Sequence, residues 1–353
     1  MRKIYKYMNR FLNKSWLFPL ILLLAIVVVS IFRQNKAGSG GLDIIEITGT
    51  TMGSIPYHVK YRDEDGRNFK AEIDSILVAF NQSLSTYIPD SEISRFNKGS
   101  VVKFELPFFY PVLKRSKEVH EKTGGAFDPT IAPLVNAWGF GPDKSRSPDK
   151  AKIDSLIDLV NFDSIFFDSK SVCKLKPGLM LDMSAIAKGY AVDVVADFLK
   201  SKNIENFLVE IGGEAVCSGT NERSEIWAIG IDDPTGSGYG QQKPRAIVKL
   251  NNRAIATSGN YRNFYEVNGQ MFSHTISPFT GYPVQHSLLS ASVFAEDCMT
   301  ADAYATGFMV MGIEESIKIV ESDNSLDAFF IYSDENGDLL TYTSKGIKDY
   351  FLR

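Results

Sequence analysis

The chain has 353 residues, of which 44% are hydrophobic and 23% charged, a balance typical of a globular protein with a sizeable core. Residues 1–36 carry seven Lys or Arg and no acid, and removing these seven from the 38 basic residues leaves 31 against 42 acidic ones, a net charge of −11. An acidic body argues against nucleic acid as a partner, because binding a phosphate backbone needs clustered Lys and Arg.

The N-terminus has the pattern of a membrane-targeting segment. Residues 1–15 are basic, and residues 16–32 form an almost unbroken apolar run of seventeen residues, which at ~1.5 Å per residue reaches about 25 Å, the short end of a membrane span. The basic flank predicts a cytoplasmic N-terminus. We therefore predict a single-pass signal anchor over 16–32, a linker over 33–42, and one folded domain over 43–353 on the periplasmic side of the inner membrane. A cleaved signal peptide is the alternative.

Cysteine usage indicates no covalent framework. Cys173, Cys217 and Cys298 are spaced neither as a disulfide framework nor as a zinc site. An exported chain of this kind is therefore stabilised by its core, and whether any two of the cysteines pair is open.

The periodicity of apolar residues, together with turn residues, predicts alternating groups of strands and helices. The predicted elements are, in chain order, two strands over 43–61, helices over 69–80 and 110–123, a strand leading to a helix over 185–199, a strand–turn–strand unit over 207–219, a strand over 227–231, a hairpin turning at Asn268-Gly269, a strand over 290–295 and a helix with Thr300 as its N-cap.

Residues 181–193 (LDMSAIAKGYAVD) suggest an anion site. They read as the end of a buried strand, a tight polar connection and the start of a helix. Asp182 then lies at the junction, and Lys188 follows within the first turns of the helix. Free N–H groups at a helix start, with a lysine nearby, favour a phosphate. The alternative is that Asp182 is an ordinary helix cap.

Two further features carry chemistry. His274 follows the predicted hairpin, although a lone histidine is more often structural than catalytic. Asp302 and Thr306 are four residues apart in a predicted helix, so their side chains project from one face. Carboxylate and hydroxyl oxygens are ligands that suit Mg²⁺. The alternative is that an acidic residue in the first turn of a helix simply interacts favourably with the helix dipole.

A set of ordered motifs over residues 45–350 resembles one protein family, the ApbE family of FAD:protein FMN transferases. Only Ser54 and Asn260 depart from it, where the family often has Thr and Asp. The motifs are TMG at 51–53, SxYxPDSEI at 85–93, GAFDPT at 125–130, PLV at 133–135, WGFG at 138–141, LDxxAxAKGYAVD at 181–193, IGG at 211–213, TSGxY at 257–261, HxIxPxTG at 274–281 and ADAxAT at 301–306.

The resemblance implies an α+β fold of mixed or antiparallel sheets with packed helices, preceded in this chain by the transmembrane helix. It also implies a Mg²⁺-dependent transferase that cleaves FAD, attaches FMN through a phosphoester bond to a Thr or Ser of another protein, and releases AMP. The implied partners are FAD, the membrane and an acceptor protein such as a subunit of a membrane redox complex.

The resemblance also assigns roles to individual residues. Asp302, Thr306 and the main-chain oxygen of Ala185 are the implied metal ligands, and His274 is the implied base that takes the proton of the acceptor hydroxyl. The implied FAD-binding residues are Met52, Tyr87, Ala126, Phe127, Asp128, Asp182, Lys188 and Ile276.

The chemistry of these residue types agrees with that reaction, because a metal neutralises the pyrophosphate and an imidazole activates a hydroxyl that is otherwise a poor nucleophile. Two alternatives stay open. One is a Mg²⁺-dependent FAD pyrophosphatase that produces FMN and AMP. The other is a periplasmic FAD-binding or flavin-delivery protein without turnover.

Overall fold

The computed structural model describes residues 44–141, 148–234, 244–259 and 275–352, and the backbone of 264–267 and 270–273. The predicted signal anchor over 16–32, the linker over 33–42 and His274 lie outside the described residues. Among the helices that are described, none is both long enough and apolar enough to cross a membrane.

The strands within the described ranges pair in antiparallel fashion. In chain order they are β1 (Ile44–Thr51), β2 (Ile55–Arg62), β3 (Val101–Lys103), β4 (Ile165–Phe167), β5 (Ser171–Lys174), β6 (Phe207–Ile211), β7 (Glu214–Ser218), β8 (Trp227–Ile231), β9 (Ala246–Leu250), β10 (Arg253–Gly259), β11 (Phe264–Val267), β12 (Gln270–Ser273), β13 (Leu288–Ala295), β14 (Asp327–Ser333) and β15 (Leu339–Thr343).

Eight of these strands form the central sheet, in the order β1-β2-β6-β7-β10-β13-β14-β15. Smaller sheets are formed by β3-β5-β4, by β8-β9 and by the hairpin β11-β12. The strand pairs predicted over 43–61 and 207–219 and the predicted hairpin are confirmed. Alternating apolar residues produce a buried face in such strands, which fixes the register of the pairing.

The helices of the described residues supply the second layer. They are α1 (Lys70–Leu84), α2 (Glu92–Lys98), α3 (Phe109–Lys122), α4 (Ala132–Ala137), α5 (Lys150–Ile157), α6 (Ala187–Ser201), α7 (Cys298–Met311) and α8 (Ile313–Ser322), with 3₁₀ turns at Pro129–Ile131, Phe162–Ser164 and Lys345–Tyr350.

The central sheet is covered on both faces. Side chains of α1, α3, α6, α7 and α8 share the main hydrophobic core with one face, to which β6 contributes Val209 and Ile211. On the other face Cys217 and Ile255 pack with Trp227 and Val248 of the β8–β9 sheet. Successive residues of a strand point to opposite faces, so the sheet is buried on both sides. The result is an α+β fold with antiparallel rather than mixed sheets.

The predicted strand before Asp182 is wrong. Leu179 and Leu181 are fully buried, but the backbone of Leu181 is bonded to a side chain instead of a neighbouring strand. Its N–H donates to Asn97 Oδ1 at 2.7 Å, and its carbonyl accepts from Asn97 Nδ2 at 2.9 Å. One amide therefore satisfies both backbone groups, and the segment stays irregular up to the start of α6 at Ala187.

The predicted N-cap at Thr300 is also wrong. Helix α7 begins two residues earlier, at Cys298, and its N-cap is Asp297. The Asp297 carboxylate accepts from the N–H of Thr300 at 2.7 Å and from its hydroxyl at 2.6 Å. Asp and Thr are both good N-caps, so composition alone could not decide between them.

Helices α6 and α7 approach each other closely at Gly189. A Cβ atom at this position would lie 2.2 Å from the carbonyl oxygen of Cys298 and 2.8 Å from Cβ of Asp302. Both neighbours belong to α7, one of them through its backbone. Only a residue without a side chain allows the two helix starts to meet at this distance.

We expect Gly189→Ala to lower the free energy of unfolding by about 2 kcal/mol or more, because the new methyl group must push the two helices apart. The matched control is Gly307→Ala in α7, where a Cβ would lie 3.3 Å from Thr123 Cγ2. For the control we expect a change within about 1 kcal/mol, since helix propensity offsets the tighter contact. Chemical denaturation of both variants measures the difference, and equal stabilities would contradict this interpretation of Gly189.

Candidate active site

The N-termini of α6 and α7 are satisfied by carboxylates from each other's helix. Asp302 of α7 accepts from the N–H of Gly189 at 2.9 Å. Asp193 of α6 accepts from the N–H groups of Cys298 and Met299, each at 2.8 Å. The first N–H groups of a helix lack partners within it and carry partial positive charge, so both carboxylates are placed where they stabilise the fold.

A lysine lies between two buried carboxylates at this junction. Lys188 Nζ is 3.1 Å from Glu214 Oε1 and 3.4 Å from Asp302 Oδ1. The side chains of Glu214 and Asp302 are 3% and 4% exposed. Burial alone would lower the pKa of Lys188, but the charges of Asp302 and Glu214 outweigh it and raise that pKa above its ordinary value. Lys188 is therefore cationic at neutral pH.

Glu214 reaches this cluster from the start of β7, directly after the β6–β7 turn. It pairs with Ile211 in the antiparallel register, so its side chain points to the helix-covered face. Gly212 has φ +63° in that turn, and a Cβ there would lie 2.7 Å from Cγ2 of Ile55. Sequence reasoning assigned the two glycines to a tight turn and missed Glu214. The available signal was an acidic residue at an inward position of an apolar strand.

The predicted metal ligands are hard oxygen donors around the α6–α7 junction. Asp302 is buried, Thr306 is partly buried one turn later in α7, and Ala185 is partly buried in the turn before α6. Within the described ranges, no group of three or more His, Cys, Asp or Glu is arranged to hold a metal. Hydroxyl and main-chain oxygens beside Asp302 would have to complete the ligand set, and that donor chemistry fits Mg²⁺. Glu214 lies beside Lys188 with its Oε2 buried and without a hydrogen-bond partner, and burial raises the pKa of this carboxyl group to about 8 against the lowering effect of Lys188.

The predicted FAD-binding segment 126–128 adjoins α7. A Cβ at Gly307 would lie 3.5 Å from Cβ of Phe127, so Phe127 packs beside the helix residue that follows Thr306. The Asp128 carboxylate accepts from the Thr130 N–H at 2.8 Å and its hydroxyl at 2.5 Å. Burial raises the pKa of Asp128. Its bonds to Thr130 show that Asp128 holds the shape of this loop.

Asp182 is tied to the same loop. Its N–H donates to the carbonyl of Pro129 at 2.8 Å, and its carboxylate accepts from the N–H of Ser184 at 2.8 Å. The bond to Pro129 joins the start of the α6 unit to the Phe127–Asp128 loop. Burial raises the pKa of Asp182. Tyr87 lies largely at the surface. Its pKa is raised first by the part of the side chain that is buried and next by the charge of Asp182.

A cavity of about 180 Å³ opens beside Asp182. Hydroxyl, amide and carboxylate side chains contribute to its wall, in keeping with a site that binds a ligand with polar groups. The lining includes Thr86, Ser94, Asn97, Asn136, Leu181 and Asp182.

The remaining predicted site residues, Met52, Ile276 and His274, lie in three other parts of the chain. Met52 has φ +48° in the β1–β2 turn, an uncommon conformation for a non-glycine residue that often marks functional sites. The pairing of Tyr57 with Ile211 sets this turn at the same end of the central sheet as Glu214. Ile276 is buried in a separate apolar cluster with Trp138. His274 lies outside the described residues, so its predicted role as a base stays a prediction.

Two further residues that sequence reasoning missed fix the segment before Asp182. Lys174 is buried, and its ammonium donates to the carbonyls of Phe96, Asn97 and Leu179 at 3.0, 3.1 and 2.6 Å. Burial lowers the pKa of Lys174. Together with the amide of Asn97 on Leu181, this ammonium ties the end of α2 to the chain that leads to Asp182. Neither residue has a sequence pattern that signals such a role.

A protein-family model described as the ApbE family matches residues 52–330. This chain belongs to the ApbE family. Similar ApbE relatives include the FAD:protein FMN transferase of Haemophilus influenzae, which is 37% identical over 341 residues, covering 93% of this chain and 97% of the relative. The FAD:protein FMN transferase of Escherichia coli (strain K12) is 31% identical over 336 residues, covering 91% of this chain and 93% of the relative.

Solved ApbE structures share the fold. Flavin transferase ApbE from Vibrio cholerae matches with a TM-score of 0.77 and 36% identity, covering 87% of this chain and 99% of that one. The apo form of flavinyl transferase ApbE from Pseudomonas stutzeri has a TM-score of 0.77 and 34% identity, covering 88% and 97%. The predicted ApbE-like α+β fold is thereby confirmed for the residues that the structure describes.

In this ApbE family member, burial raises the pKa of Asp193 to about 7, against the opposing hydrogen bonds from Cys298 and Met299. The folded state therefore binds a proton more tightly than the unfolded state, so the stability gained from that proton is present at low pH and lost progressively as pH rises to about 7. We expect the free energy of unfolding to fall by about 2 kcal/mol more between about pH 5 and pH 8 in the wild type than in Asp193→Asn.

Denaturant titrations across this pH range measure that difference. The matched control is Asp197→Asn, since Asp197 lies on the same helix but its side chain is 72% exposed. The control should follow the wild-type pH dependence closely, because the charge of Asp197 is the smallest of the contributions that raise the pKa of Asp193. Identical pH profiles for the wild type and Asp193→Asn would contradict the assignment.

Proposed function

We propose that this ApbE family member is an FAD:protein FMN transferase that uses Mg²⁺ and modifies a Thr or Ser of an acceptor protein. The observation that carries the proposal is the α6–α7 junction, where the carboxylate of Asp302 meets the ammonium of Lys188 at 3.4 Å beside a buried Glu214. The names of the curated relatives support the same activity. A protein that only carried a flavin would need neither a metal site nor a base.

The reaction is a phosphoryl-group transfer. The hydroxyl oxygen of the acceptor forms a bond to the phosphorus on the FMN side of the FAD pyrophosphate. The bond from that phosphorus to the bridging oxygen breaks, and AMP leaves with this oxygen. The hydroxyl proton goes to a base, the role that we propose for the imidazole of His274.

The residues of the junction provide charge for this transfer. Lys188 is cationic and 25% exposed, so its ammonium can bind a phosphate oxygen of FAD. Asp302, Thr306 and the carbonyl oxygen of Ala185 are the proposed metal ligands. When bound there, Mg²⁺ supplies neutralisation of the pyrophosphate charge and polarisation of the phosphorus.

The neighbouring loops are proposed to hold the rest of FAD. Met52, Tyr87 and Phe127 offer apolar and aromatic surfaces for flat ring systems. Asp182 and the 126–128 loop are joined by the hydrogen bond to Pro129, so they form one wall. Ile276 lies in the apolar cluster with Trp138, and we propose that it also contacts FAD.

The N-terminal segment determines where the reaction takes place. We propose that residues 16–32 anchor the protein in the inner membrane and that the domain faces the periplasm. The acceptor would then be a membrane redox-complex subunit with an exposed Thr or Ser on that side. The apolar run and its basic flank support this proposal.

We expect Asp302→Ala to lower FMN transfer on the order of 10²-fold or more, because it removes the proposed metal carboxylate. The full chain in detergent is mixed with FAD, Mg²⁺ and candidate acceptors, and mass spectrometry follows the FMN adduct. Asp197→Asn, an exposed change on α6, should leave the rate unchanged. Free FMN without any adduct would favour a pyrophosphatase, and tight FAD binding without cleavage would favour a carrier.

We expect His274→Asn to slow transfer by about 10²-fold or more while FAD affinity changes little, because the imidazole acts on the acceptor proton rather than on FAD. Single-turnover rates and equilibrium FAD titrations separate the two quantities. A collapse of FAD affinity at an unchanged transfer rate would instead identify the histidine as structural.

A further inference from the structure

The ammonium of Lys188 has two carboxylate partners in the described residues, and only one of them belongs to the proposed metal set. Lys188 Nζ lies 3.4 Å from Asp302 Oδ1 and 3.1 Å from Glu214 Oε1. Both carboxylates are buried, so neither interaction is strongly screened by solvent.

A divalent cation on Asp302 creates a conflict at this cluster. Like charges a few ångströms apart repel strongly in a buried site. The ammonium of Lys188 must then give up its interaction with Asp302 Oδ1. Without another anion, Lys188 would either compete with the metal for Asp302 or lose its counter-charge.

The position of Glu214 allows its carboxyl group to bind the ammonium of Lys188. Its Oε1 is already the nearer partner of Lys188, and its Oε2 is buried with no hydrogen-bond partner. An ammonium has three donors, so Lys188 can bond to Glu214 alone. The register of Glu214 with Ile211 and the close approach at Gly212 hold the carboxylate in place.

We propose that Glu214 is a positioning residue that holds the ammonium of Lys188 when a divalent cation occupies Asp302, and so prevents the lysine from competing with the metal. The inference rests on the proposed function, because it concerns the same metal site. Glu214 does not bind the metal or FAD in this proposal. It acts through Lys188.

The test is Mn²⁺ binding to the full chain in detergent, followed by electron paramagnetic resonance of free Mn²⁺. We expect Glu214→Gln to raise the Mn²⁺ dissociation constant by about tenfold, as is common when a partner of the ligand shell is lost. Lys188→Met should bind Mn²⁺ at least as tightly as the wild type, because the competing ammonium is gone. In the double variant Glu214→Gln/Lys188→Met, the loss caused by Glu214→Gln should largely disappear.

The rescue distinguishes the proposal from a merely structural role for Glu214. A structural defect would weaken binding in the double variant at least as much as in Glu214→Gln. The matched control is Glu210→Gln on β6, which pairs with Ala215 and therefore lies on the opposite face of the sheet from Glu214. It should bind Mn²⁺ as the wild type does.

The outcomes separate this inference from the proposed function. If the wild type binds no Mn²⁺ and transfers no FMN, the proposed function itself is wrong. If the wild type binds Mn²⁺ and Glu214→Gln binds it equally well, the role of Glu214 is wrong and the function stands. If Glu214→Gln does not fold, the Mn²⁺ affinity of Lys188→Met tests the proposal by itself. Weaker Mn²⁺ binding in Lys188→Met than in the wild type would contradict competition by the ammonium.

Discussion

The close meeting of two helix starts is the constraint on which the proposed site depends. Gly189 lets α6 approach the backbone of Cys298, and Asp302 and Asp193 then satisfy N–H groups of the opposite helix. Both side chains cap the opposite helix, and the carboxylate of Asp302 also contributes negative charge beside Lys188. Lys188 offsets part of that charge. Stability and the proposed chemistry therefore share the same side chains, so a change at this junction affects both.

Features that depend on near neighbours in the chain could be predicted. Alternation of apolar residues indicated the strand pair over 43–61, and glycine turns indicated the strand pair over 207–219 and the hairpin at Asn268-Gly269. The spacing of Asp302 and Thr306 placed them on one face of a helix. The family resemblance supplied what spacing could not, since it implied that residues from separate motifs belong to one site.

Features that depend on distant partners, or on a choice between two neighbouring residues that are both good helix caps, could not be predicted. The apolar run ending at Leu181 looked like a strand, but the side chain of Asn97 occupies its backbone groups. Thr300 looked like a helix cap, but the preceding Asp297 takes that position. Glu214 carried no motif, because its importance comes from Lys188, which another element brings to it. In each case the hydrogen-bonding or charged partner became known only from the structure.

The buried ammonium of Lys174 has a consequence for how the cavity wall beside Asp182 is maintained. It gathers three main-chain carbonyl oxygens, an arrangement that other proteins create by capturing a potassium or sodium ion. Here the cation is covalently attached, so it cannot be diluted, exchanged or chelated. The local architecture therefore needs no bound metal ion at these three carbonyl groups.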